Sequence, residues 1–280
     1  MKRLFLGACL LFPSLVFASN PLTSVPDPKE VISRSEERPI GKDSTSLLVI
    51  TLTDKEGVSR KRGFVWYHLS GEKAALDLQK FFFPRSIRNI ATFNEEVKGA
   101  EDLQYLYLPA ASRVRRVSSK HQTWVGSDLI YEDLQKLKLE DWEFRFAPSS
   151  DQAAAGVYVV DCIAKPSSNS AYAKRRYFIR ADGTYFPNQI DFFDANGTLI
   201  KRVQREQVSA YGDALYERFV NVTDYRNGHR TSLERKWVRV NTGLDMPTVS
   251  IRQMERNIEH FPQPSDLMQL VNAEMSGMAE

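Results

Sequence analysis

Cysteine is nearly absent from this sequence: Cys9 and Cys162 are alone among 280 residues. Cys9 falls in an N-terminal stretch that reads as removable, which leaves one thiol and no internal disulfide. In an oxidising compartment a lone thiol is safest when buried, and Val160 and Ala164, alternating with Cys162, mark it as a small core residue. Neither charge is in excess. The 38 Lys and Arg face 35 Asp and Glu for a net charge of +3, and Lys2 and Arg3 supply two of those positives. That balance excludes the basic footprint of a nucleic-acid binder. Four histidines (His68, His121, His229, His260) are scattered without metal-ligand spacing. A G-x-S-x-G elbow, a glycine-rich phosphate loop and a Cys-x-x-Cys pair are all missing. No metal, no cofactor and no catalytic constellation is expected.

What is present begins with a targeting pattern. Lys2 and Arg3 precede an apolar stretch from Leu4 to Val16, and Val16-Phe17-Ala18 ends it in compact residues. This predicts a secretory signal over residues 1–18, cleaved after Ala18, and a periplasmic location. The apolar stretch falls short of the roughly 20 residues that a membrane anchor needs. Leu6-Gly7-Ala8-Cys9 offers an alternative, a lipid anchor on Cys9. Residues 19–280 then form one domain, long enough to bury a sizeable core.

Beyond a short helix capped by Asp27, with Pro28 in its first turn, the pattern is that of strands. They are expected at Ser46 to Thr53, Val58 to Leu69, Ala74 to Phe83, Leu103 to Leu108, Asp141 to Ala147 and Gly156 to Ala164. Further runs are Tyr172 to Arg180, Thr184 to Asp194, Leu199 to Ser209, Leu215 to Tyr225 and His229 to Val240. Asp-Gly and Asn-Gly pairs between alternating runs mark hairpins, because these residues accept the positive φ such turns need. About eleven or twelve strands result, with no βαβ spacing. The fold class is therefore mainly β, a single strongly curved antiparallel sheet with a few short helices. Ile130, Leu134 and Leu137 at i, i+4 and i+7 predict a helix from about Ser127, and a last helix starts near Asp266.

Several side chains stand out. Phe64 and Trp66 share one strand face, as do Phe81 and Phe83, Leu106 and Leu108, and Trp142, Phe144 and Phe146. They are either ordinary sheet core or the lining of an apolar cavity. Arg113, Arg115 and Arg116 form a basic cluster, suited to salt bridges with Glu132 or Asp133, or to an anionic lipid head or an acidic partner. Asp128, Glu132 and Asp133 read as a solvated helix face.

One segment carries a family signature. Leu106-Tyr-Leu-Pro-Ala-Ala-Ser-Arg-Val-Arg-Arg-Val117 is followed by Trp124-Val-Gly-Ser-Asp-Leu-Ile-Tyr-Glu-Asp-Leu134, with Phe81-Phe82-Phe83-Pro84 before it and Phe193-Asp-Ala-Asn-Gly-Thr-Leu-Ile-Lys201 after it. The order resembles the LolA-like outer-membrane lipoprotein-sorting proteins, a group often encoded beside RND-type exporters, from about Asp27 to Ser265. The resemblance implies an incomplete LolA/LolB-like β-barrel with helices over its open side. It also implies a non-enzymatic monomer that holds a lipid or lipoprotein acyl chain in the apolar space between sheet and helices. Trp124, Ile130 and Leu134 would then belong to a mobile lid. The alternative is an accessory module that docks on an RND-type inner-membrane exporter and carries no lipid.

Overall fold

The computed structural model describes residues 26–148, 156–261 and 266–278. The expected signal segment, its cleavage point and Cys9 lie outside them. Helix α1 spans Pro28–Glu36, and the Asp27 side chain accepts from the Lys29 backbone N–H at 2.9 Å, closing the first turn as the sequence predicts. Thirteen strands follow: β1 Asp43–Thr53, β2 Ser59–Ser70, β3 Ala74–Phe83, β4 Ala91–Val97, β5 Leu103–Leu108, β6 Arg113–Arg116, β7 Trp142–Phe146, β8 Val157–Ala164, β9 Lys174–Arg180, β10 Pro187–Phe193, β11 Leu199–Tyr211, β12 Ala214–Asp224 and β13 Arg230–Val240. Helix α2, Leu267–Met278, comes last.

The strands make one antiparallel sheet in the order β6-β5-β4-β3-β2-β1-β13-β12-β11-β10-β9-β8-β7. The count exceeds expectation by β4 and β6. Both carry charged residues where apolar alternation would have marked a strand, and β6 is a short, arginine-rich edge of the kind that resists further pairing. Hairpin turns behave as their sequences require. Asp194 Oδ1 accepts from the backbone N–H groups of Asn196 and Thr198 at 2.9 and 2.8 Å, while Gly197 takes the left-handed φ of 78°.

Alternate residues of β1 divide between two cores. Leu48 and Ile50 join Phe64, Phe81, Val160, Cys162, Tyr177, Ile179, Phe192 and Val203 on one face. Leu47 joins Val65, Tyr67, Leu78 and Phe82 on the other. The second core is closed by the C-terminal chain, through Val249, Met254, Ile258, Phe261 and α2 residues Leu267 and Val271. Buried Lys80 ties that chain down, donating to the carbonyls of Gln253 and Met254, each at 3.1 Å.

The first core identifies the concave face. Strands β6 and β7 are consecutive in the chain yet lie at opposite edges of the sheet, so residues 117–141 must cross it. The crossing segment reaches Gln104 of β5, Lys201 of β11, Arg175 of β9 and Thr231 of β13. One short segment can touch strands so far apart in the sheet order only if the sheet curls around it. The expected helix over this segment is replaced by two 3-10 turns, Tyr131–Leu134 and Leu139–Asp141. Competing hydrogen bonds explain the change: the Trp124, Tyr131 and Glu132 backbone N–H groups donate to Leu129, Gln122 and Lys120 carbonyls instead of along a helix.

Candidate functional site

The concave face gathers most of the expected apolar residues. Phe64 and Phe81 stack with ring centroids 5.1 Å apart, and Trp124 meets both, at 5.5 and 5.8 Å. Trp142 is buried in the same core, and Trp66, Phe144 and Phe146 pack half-buried against it. Leu106 and Leu108 lie half-buried on β5, opposite Arg115 and Arg113 of β6. Leu106 also pairs with Thr92, whose hydroxyl accepts from the Trp124 indole N–H, which places these leucines on the concave side.

Phe83 departs from expectation, because it packs in the convex core with Phe82, not beside Phe81. The register explains it: Phe64 pairs with Phe81 and the preceding Gly63 pairs with Phe83, so a bulge at Phe82 reverses the alternation. Glycine at 63 is required there, since a Cβ would come 2.3 Å from the Phe82 ring.

The expected lid residues form a plug. Trp124, Leu129, Ile130, Tyr131 and Leu137 are buried in the concave core, with Leu134 packed against it. Asp128, Glu132 and Asp133 do not face solvent. Asp133 accepts from Lys201 Nζ at 2.6 Å, the Tyr172 hydroxyl at 2.8 Å and the Ile130 backbone N–H at 2.8 Å. Glu132 pairs with Arg175 and accepts from the Ser170 hydroxyl and the Ala171 backbone N–H. Burial alone would push the Glu132 carboxyl up, but the Arg175 guanidinium and these hydrogen bonds bring it below the ordinary carboxylate range. Asp128 accepts from the Thr231 hydroxyl at 2.7 Å.

The arginine cluster is therefore left without the carboxylates expected for it. Arg113, Arg115 and Arg116 are exposed and form no ion pair among the described residues. Arg175, Lys201 and Tyr172, which anchor the plug, are absent from the expected site. Their signal in the sequence is register: Arg175 alternates with core residues Tyr177 and Ile179, and Lys201 with Val203, so both cations occupy inward positions.

A Ser-His-Asp row also appears at the end of β2. His68 Nε2 lies 3.0 Å from the Ser70 hydroxyl and Nδ1 lies 2.9 Å from Asp77. The Ser70 hydroxyl also lies 3.1 Å from the Gly41 carbonyl, and Asp77 accepts as well from the Trp66 indole N–H. These bonds tie a strand end to its neighbours.

A cavity of about 750 Å³ lies apart from the apolar interior. It lies at the seam where the sheet fails to close, between the β5–β6 wing and the start of β7, and is lined by both acidic and basic side chains.

A family model described as “Uncharacterized protein” matches residues 76–256. A crystal structure from Vibrio parahaemolyticus, described as an outer membrane lipoprotein-sorting protein domain, is 26% identical with a TM-score of 0.74, over 82% of this chain and 98% of that one. This chain belongs to the family of that model, and its structural neighbours are LolA-like lipoprotein-sorting domains. A DUF1329 family protein from Desulfovibrio piger shares the LolA-like fold at 21% identity and a TM-score of 0.73, covering 82% of this chain and all 100% of its own. A LolA superfamily protein from Nitrosomonas europaea does so at 13% identity and a TM-score of 0.62, over 81% and 99%. No curated protein matches the sequence. The open LolA-like sheet expected from the sequence is thus the observed fold, with thirteen strands.

Proposed function

We propose that this protein is a periplasmic carrier that binds the acyl chain of a lipid or lipoprotein against the concave face, with no bond chemistry of its own. The observation that carries this reading is the nature of the concave filling. Phe64, Phe81, Trp66, Leu106, Leu108, Trp142, Phe144 and Phe146 belong to the sheet, while Trp124, Ile130 and Leu134, which cover them, belong to a crossing segment without strand pairing to it. An acyl chain could take the place of those plug side chains at little loss of apolar burial. The exposed CH₂ groups of a lipid in water cost about 0.8 kcal/mol each, so a chain of about 14 carbons gains on the order of 10 kcal/mol from such a site.

Displacement of a fluorescent fatty acid tests the reading. Folded Phe144→Glu should displace poorly. Phe83→Glu, on the opposite face, should behave like the parent. Substitution of Arg113, Arg115 and Arg116 should change mainly the salt sensitivity, since an exposed ion pair contributes only about 0–1 kcal/mol. Parent-like binding by Phe144→Glu together with loss on removing the arginines would favour the second reading, docking on an RND-type exporter without lipid. The observation behind that reading is β6 itself, an open sheet edge bearing three arginines that make no ion pair among the described residues.

A further inference from the structure

The cavity at the unclosed seam has a composition that an acyl site does not need. Asp102 lines it, with a side chain only 1% exposed, and neither carboxylate oxygen accepts a hydrogen bond among the described residues. Its nearest cation, Lys138 Nζ, makes a long ion pair with it at 3.6 Å, beyond hydrogen-bonding distance, and also donates to the Ala100 carbonyl at 2.6 Å. A buried carboxylate left in this condition is costly, and burial accordingly pushes the Asp102 carboxyl above its ordinary value. The same cavity holds Lys120, whose single hydrogen bond goes to the Ser168 carbonyl at 3.0 Å. Lys120 therefore keeps donors free, and among the described residues no carboxylate lies within ion-pair distance of it, although its field reaches Glu132. That field also reaches Asp102.

We propose that the seam cleft binds a zwitterion pairing a primary ammonium with a phosphate, the ammonium on Asp102 and the phosphate on Lys120. Charge selects the ligand. An anion alone would meet Asp102, Glu140 and Asp141 in the same cavity, and a cation alone would meet Lys120 and Lys138. A group carrying both signs a few ångströms apart satisfies both sets, and about 750 Å³ lies within the range of ligand pockets. This chemistry occurs in the phosphatidylethanolamine headgroup and in free phosphoethanolamine. The lipid source rests on the carrier reading above, whereas the cleft itself does not.

Calorimetric titration of the purified protein with O-phosphoethanolamine, ethanolamine and inorganic phosphate tests the site. Phosphoethanolamine should bind more tightly than either fragment. Asp102→Asn, which keeps the side-chain shape, should weaken it about tenfold or more while leaving phosphate unchanged. Lys120→Ala should weaken both phosphate-bearing probes. Dihexanoyl phosphatidylethanolamine binding in preference to dihexanoyl phosphatidylglycerol would identify the lipid as the source. Binding of the soluble zwitterion alone would identify the free compound. Absence of phosphoethanolamine binding, or parent-like binding by folded Asp102→Asn, overturns the proposal. Failure of fatty-acid displacement while phosphoethanolamine still binds would remove the acyl reading and leave the cleft standing.

Discussion

Lys201 Nζ lies 2.6 Å from Asp133 Oδ2, and the two side chains are 0% and 2% exposed. The pair fastens the crossing segment to β11 on the concave face. A buried ion pair of this kind gives no large net gain over an apolar pair, but removing one partner strands the other in a medium that cannot solvate it.

Lys201→Met should therefore lower unfolding stability by about 3–5 kcal/mol. Urea denaturation of the variant beside the parent measures this. A loss below about 1 kcal/mol would mean that Asp133 finds water or another cation, and that the plug is less tightly held than its geometry implies.

Lys80 makes a pH-dependent prediction on the convex face. Burial brings its ammonium from 10.5 down to about 8, with Glu259 acting in the opposite direction. Between those values the unfolded chain holds a proton that the folded chain has released, so stability rises with pH across this window. The rise is on the order of 3 kcal/mol. Thermal unfolding of the parent and of Lys80→Met from pH 8 to 10 should show the rise only in the parent.

Gly63→Ala should cost about 1–3 kcal/mol, as overpacking does, because the new methyl would meet the Phe82 ring. Equilibrium unfolding of Gly63→Ala with and without Phe82→Leu tests the cause. Relief by the second substitution is expected. An undiminished loss would place the fault in the backbone instead.

Hydrogen exchange should find the Trp124 and Glu132 amides protected in the free protein, as they donate to the Leu129 and Lys120 carbonyls within a buried segment. If the acyl chain takes the plug's place, saturating fatty acid should speed their exchange. Unchanged protection in the bound state would show that the plug stays in position and that the chain binds elsewhere.

The sequence by itself determined what is local. Alternation in β1, β2 and β8 to β13 placed their side chains on two faces, because a strand has a fixed period of two. Asp194, Asn196 and Gly197 set a hairpin, and Asp27 and Pro28 a helix start, because those choices depend on neighbours a few residues away. The family signature from Leu106 to Leu134 named the open sheet. Tertiary structure decided the rest. Phe83 left the concave face because a bulge at Phe82 changed the register, and a single inserted residue is invisible to periodicity. Apolar residues at helical spacing between Ile130 and Leu137 gave a buried plug with one 3-10 turn, since hydrogen bonds to Lys120, Gln122 and Leu129 outweighed helix propensity. Asp128, Glu132 and Asp133 resembled a solvated helix face until the curl of the sheet enclosed them. Whether a carboxylate meets water, Arg175, Lys201 or the seam cleft depends on residues far away in sequence, and only the curled sheet brings those groups together.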